Sequence, residues 1–188
     1  MKATKIIACA GIAVLALLGG RASAQNIAVK SNALMLAAGL PNAGLEVVTS
    51  DRTSLDFSVF GGYKPYTLDI KAVGVQPEFR FWLSGRAMAR EYVGVTVLGL
   101  TYDMRIKDKT YDGDALGFGL TFGYAWPLTA RCNVEFAAGI GGYLFRHVQH
   151  SVRDNQADYI EQGYDMANAS GFKILPSKLS VTFTYIFK

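Results

Sequence analysis

The 188-residue sequence carries 19 basic and 15 acidic residues for a net charge of +4, and 51% of it is hydrophobic. The basic excess lies in the first 24 residues, which hold Lys2, Lys5 and Arg21 and no acid, so residues 25–188 carry a net charge of +1. That balance excludes a chain built to grip nucleic acid. Cys132 is the one cysteine beyond residue 24, which excludes an intramolecular disulfide there.

The amino terminus reads as a secretory signal. Lys2 and Lys5 precede an uncharged, mostly apolar stretch from Ile6 to Leu18, and Ala22-Ser23-Ala24 supplies small residues ahead of a cleavage point. The stretch is too short to span a bilayer as a helix. Cys9 sits inside it, too early to be lipidated at that cleavage point. Two segments are therefore expected: a signal peptide over 1–24 and one domain over 25–188.

From residue 43 onward apolar and small or polar residues alternate with period two. Leu116, Phe118, Leu120, Phe122, Tyr124 and Trp126 oppose Ala115, Gly117, Gly119, Thr121, Gly123 and Ala125. Val134, Phe136 and Ala138 oppose Asn133, Glu135 and Ala137, and Leu179, Val181, Phe183 and Tyr185 oppose Ser180, Thr182 and Thr184. Such alternation is a strand signal. Eight strands are expected, near 29–38, 43–49, 53–63, 68–83, 90–104, 114–126, 131–145 and 175–187. Short turns at 50–52, 84–89 and 127–130 alternate with more open connections at 64–67, 104–113 and 146–174. The expected fold is all-β: an eight-stranded antiparallel up-and-down transmembrane β-barrel with a side-chain-filled lumen.

Alternation does not say which face points inward. A soluble ligand-binding barrel would place its apolar face inside and its charges outside. Here the second face is mostly Gly, Ala, Ser and Thr, which suits a crowded interior better than a solvated surface. The bulky face then meets lipid. The interior is expected to hold Glu46, Asp56, Glu78, Arg80 and Glu135, with Lys30 a further candidate. Charges of both signs in so narrow a space must pair, because desolvating them singly is expensive. Aromatic residues near the strand ends suggest two interface belts. Trp82, Tyr92, Trp126, Tyr185 and Phe187 fall near the short turns, and Tyr63, Tyr102 and Tyr143 near the long loops.

The segment Gln76-Pro77-Glu78-Phe79-Arg80-Phe81-Trp82 resembles the Gln-Pro-Glu-x-Arg-Tyr-Trp segment of the DUF3575 family, outer-membrane β-barrel proteins found mainly in Bacteroidetes. Pro41-Asn42-Ala43-Gly44-Leu45-Glu46, Gly123-Tyr124-Ala125-Trp126-Pro127-Leu128 and Pro176-Ser177-Lys178 extend the resemblance across nearly all of residues 30–188. It implies an outer-membrane barrel without a known activity. Because some relatives are associated with surface fimbriae, it also implies a conceivable accessory role in surface assembly. Phe183, Tyr185 and Phe187 look like a terminal signal for the outer-membrane assembly machinery, with Lys188 and Thr182 as departures.

No catalytic, metal or cofactor constellation stands out. His147 and His150 are the only histidines, beside Ser151 and Asp154, with Asp158 and Glu161 further on. A metal site needs three or four converging ligands. A lipid-modifying hydrolase built on His, Ser and a carboxylate is the enzymatic alternative, but adjacent His150 and Ser151 would point to opposite faces of a strand. The expected partners are outer-membrane lipids, the assembly machinery, and a surface protein bound through the loop at 146–171.

Overall fold

Residues 26–65, 70–106, 109–151 and 169–187 are described by the computed structural model. Period-two patterning becomes eight strands: β1 (Ile27–Asn32), β2 (Asn42–Ser50), β3 (Thr53–Tyr63), β4 (Ile70–Trp82), β5 (Arg90–Ile106), β6 (Lys109–Pro127), β7 (Cys132–Ser151) and β8 (Ala169–Phe187). Each is antiparallel to its neighbours in sequence, and β1 pairs with β8, so the sheet closes on itself as a barrel. Closure leaves no free edge where those two strands pair.

The ring is staggered. Ladder partners followed from Ala28 run through Glu46, Asp56, Glu78, Thr96, Gly119 and Gly141 to Leu175. Ala28 itself pairs with Ile186, eleven residues further along β8. One of the eleven is Ser177, left without a ladder partner where the register shifts opposite Gly139 and Ile140. Such a stagger tilts the strands against the barrel axis. It also brings inward positions that are distant in sequence to one level.

Strand lengths divide the ring. β1 to β4 span 6 to 13 residues, whereas β5 to β8 span 17 to 20. Several of the expected boundaries are corrected. The first strand stops at Asn32 instead of continuing to 38, and Ala33–Ala37 form a short helix, α1. Ala, Leu and Met are strong helix formers, and the Asn32 side chain caps the turn by accepting from the Leu34 amide at 3.0 Å. Asn42 then fastens the connection, accepting from the Asn32 amide at 2.6 Å and donating to the Asn32 and Leu40 carbonyls at 3.0 and 3.2 Å.

The open connection expected at 104–113 is instead a tight hairpin, with Ile106 paired to Lys109. The long connection begins later and ends sooner than expected, because β7 runs to Ser151 and β8 starts at Ala169. Polar residues such as Asp112, Asp114 and Lys173 interrupt the hydropathy pattern there. Backbone pairing needs only a partner strand, so the ladders continue regardless.

A small apolar cluster lies inside the ring at the short-turn end. Ala28, Trp82, Met88, Tyr92, Ala125 and Ala137 form it, and the Trp82 and Tyr92 rings meet at 4.8 Å between centroids. The 83–89 connection folds inward to place Met88 there. Met88 adopts a positive φ of 62°, and its carbonyl accepts from Asn133 Nδ2 at 2.7 Å. This corrects the belt expectation, since Trp82, Tyr92 and Tyr143 are buried and point inward. Trp82 shares the parity of Glu78 and Arg80 on β4, so a belt position was closed to it. Tyr63, Trp126, Tyr185 and Phe187 are exposed, as a belt requires.

Candidate functional site: a buried charge cluster

Seven charged side chains meet inside the ring. Lys30 comes from β1, Glu46 from β2, Asp56 from β3, Glu78 and Arg80 from β4, Glu135 from β7 and Lys178 from β8. All but the last are at most 3% exposed. Two-residue spacing places Glu78 and Arg80 on the same face of β4, and ladder pairing sets Asp56 directly beside Glu78 and Glu46 beside Asp56.

Arg80 is the hub. Its Nη1 lies 2.9 Å from Glu46 Oε2 and 3.0 Å from Glu135 Oε2, and its Nη2 lies 3.0 Å from both Asp56 Oδ2 and Glu78 Oε2. The guanidinium fork can address several carboxylates at once, which an ammonium does less well. Lys30 reinforces three of the same groups, lying 3.1 Å from Asp56, 2.6 Å from Glu135 and in contact with Glu46. Lys178 contacts Glu78. Hydroxyls fill remaining lone pairs: Ser58 donates to Asp56 at 2.7 Å, Thr184 to Glu135 at 2.8 Å, and Ser54 to Glu46. Trp82 Nε1 donates to Ser54 at 2.8 Å and so couples the apolar cluster to the charges.

Every expected interior charge is brought together, Lys30 included. The sequence reading missed Lys178, although it shares the parity of Ser180, Thr182 and Thr184 on β8. Ser54 and Thr184 belong to the face expected to point inward, but their bonds to Glu46 and Glu135 were not read from the sequence, because they depend on which strands lie side by side.

Above the cluster a small cavity of about 30 Å³ is lined by Lys30, Asn42, Asp56, Gln76, Arg80 and Lys178, among others. It has room for about two water molecules. The charges below it are braced against each other.

The remaining candidates do not converge on this cluster. His147 lies toward the far end of β7, stacked on Phe145 at 5.5 Å, edge-on to Tyr111 at 5.6 Å and 3.5 Å from the Tyr102 hydroxyl. The side chains of His150 and Ser151, with Asp154, Asp158 and Glu161, lie outside the described residues. Among the described residues no group of three or more His, Cys, Asp or Glu is arranged to hold a metal ion. Cys132 is a free, half-buried thiol at the start of β7.

The outward positions complete the picture. Val29, Phe79, Val95, Phe118, Leu120, Phe122, Ile140, Leu144, Leu179 and Phe183 are all exposed. The fold is thus an eight-stranded closed antiparallel sheet turned inside out, charged within and apolar without. Residues 10–187 match the family described as "Protein of unknown function (DUF3575)", and the chain belongs to that family. No curated protein and no solved structure matches it.

Proposed function

We propose that this protein is a small outer-membrane β-barrel, exported by its amino-terminal signal, whose lumen is plugged by ion pairs so that it is no general porin. The observation that carries this reading is the inversion of polarity. A water-facing surface bearing Phe118, Leu120, Phe122, Ile140 and Leu179 at more than half exposure would be an aggregation hazard. Against hydrocarbon the same surface is a match. No described helix is long and apolar enough to cross a membrane; the reading assigns the crossing to the strands. The alternating outward aromatics Phe183, Tyr185 and Phe187 at the end of β8 fit recognition by the assembly machinery.

Membrane fractionation and gel mobility before and after boiling test the reading. The expected result is recovery in the outer-membrane fraction, with the unboiled band migrating differently from the boiled one. A detergent-free soluble monomer sinks it.

An interaction role fits better than catalysis, and one observation favours it. β5 to β7 carry half-exposed Tyr102, Tyr111, Phe145 and His147 at the end away from the short turns. Rings with polar tips are common in contact surfaces. This surface borders the 146–171 segment expected to meet a partner, of which 152–168 lies outside the described residues. A photo-crosslinker at Tyr111 is expected to yield a defined protein adduct in whole cells. Labelling of lipid alone counts against a surface-protein partner.

A further inference from the structure

The outward wall is not uniformly bulky. Pro41, Ala43, Val59, Gly61, Val73 and Val75 line an apolar groove of about 550 Å³ on β2 to β4. Ladder pairing sets Ala43 beside Val59 and Val59 beside Val75, with Gly61 beside Val73 one outward position nearer the loop end. One outward position toward the short turns, the same three strands carry the larger Leu45, Phe57 and Pro77.

Gly61 is what keeps the groove open. The inward glycines are overlain by neighbours, so that a Cβ at Gly74 would strike the Phe60 ring. A Cβ at Gly61 would meet nothing closer than the Ala72 carbonyl at 3.4 Å, and Gly61 sits in the regular strand β3. Neither packing nor backbone conformation calls for glycine there, although glycine weakens a strand. The room it leaves is on the outside. At the loop end of the groove the next outward ladder pair is Tyr63 and Lys71. Tyr63 is 69% exposed, and the Lys64 and Lys71 ammoniums lie 5.9 and 5.3 Å from the centre of its ring. Asp103 lies 3.4 Å from Lys71, so the described rim carries two cations and one acid.

We propose that the groove holds an acyl chain of an anionic phospholipid, with its phosphate at Tyr63, Lys64 and Lys71. The inference rests on the membrane reading above and names a site within it. Apolar wall, then exposed aromatic ring, then ammonium groups is the order a lipid meets from chain to headgroup. A second copy seated here on a two-fold axis would bring Lys71 toward its own counterpart, and like charges facing each other oppose such a pairing.

Native mass spectrometry of the full chain in detergent, with dioleoyl phosphatidic acid or dioleoyl phosphatidylcholine added, tests the site. Phosphatidic acid is expected to bind at least about tenfold more tightly, and the double variant Lys64→Gln/Lys71→Gln is expected to lose that preference. Gly61→Leu, which fills the groove, is expected to weaken both lipids about tenfold. Equal binding of the two lipids, a preference that survives the double variant, or unchanged binding by Gly61→Leu overturns the proposal. A lipid-free dimer that Gly61→Leu splits into monomers assigns the groove to a second copy and overturns it as well. Should Gly61→Leu not fold, Ala43→Leu fills the groove from β2 and is read in the same way. A chain that stays soluble without detergent fails the membrane reading, whereas one that needs detergent but shows no lipid preference fails this inference alone.

Discussion

The two halves of the ring divide the labour of filling it. β1 to β4 contribute Lys30, Glu46, Asp56, Glu78 and Arg80, long side chains that reach across the interior. β5 to β7 contribute Gly94, Gly117, Gly119, Thr121, Gly123 and Gly139, which keep out of the way. A Cβ at Gly94 would strike the Glu78 carboxyl, and one at Gly123 would strike the Tyr92 ring. Glycine in a strand interior ordinarily weakens it. In this ring it is the complement of a neighbouring strand's larger side chain, Glu78 over Gly94 and Tyr92 over Gly123, because a narrow barrel holds a fixed volume of side chain and close packing forbids excess.

The largest expected effect comes from breaking the charged half. Arg80→Ala leaves Glu46, Asp56, Glu78 and Glu135 facing one another with only Lys30 and Lys178 to offset them. A loss of about 3–5 kcal/mol is expected, read as a lower denaturant midpoint in detergent. If Arg80→Ala unfolds at the unmodified midpoint, the cluster is not what holds this half. Next in size is a charge on the outward face of the glycine-rich half. Leu120→Lys, at a mid-strand position 66% exposed, is expected to cost about 2–4 kcal/mol of folding into bilayers. In a water-soluble barrel the same change would improve solubility at no cost, so the sign of the effect tests the proposed location.

The link between the halves is tested by Gly94→Ala, expected to cost about 1–3 kcal/mol through overpacking. Combining it with Glu78→Asp, which withdraws the carboxyl by one methylene, should cost less than the sum of the two changes measured separately. Strict additivity would separate Gly94 from Glu78 energetically. The smallest effect belongs outside the ring. Lys71 and Asp103 form a half-exposed pair at 3.4 Å, and Lys71→Ala is expected to change the midpoint by no more than about 0.5 kcal/mol. A larger change would mean the strand ends beyond the charge cluster carry more of the stability than their exposure suggests.

Much of this arrangement is legible in the sequence. Parity alone assigns Glu46, Asp56, Glu78, Arg80 and Glu135 to one face, and strict alternation over so many segments leaves little doubt about strands. Trp82 and Tyr92 show how that reading slips. Their aromatic character and strand-end position suggested an interface belt, yet their parity with Arg80 and Gly94 is inward, and parity wins because a one-residue slip would expose the whole charged set. Lys178 was overlooked for the same reason in reverse, its parity being plain but its partner Glu78 lying a hundred residues away.

What the sequence by itself determined is the two-faced strand and its polarity, since period two is a local property of the chain. The registers that close the ring and the extended β5–β8 ladders were decided by tertiary structure. Ladder pairing depends on which strand lies alongside, and hydropathy does not record that. The meeting of Arg80 with carboxylates from four strands is likewise a tertiary fact. The stagger that sets Leu175 eleven residues along β8 from Ile186, the partner of Ala28, is the sum of eight registers, and no single segment of the chain contains it.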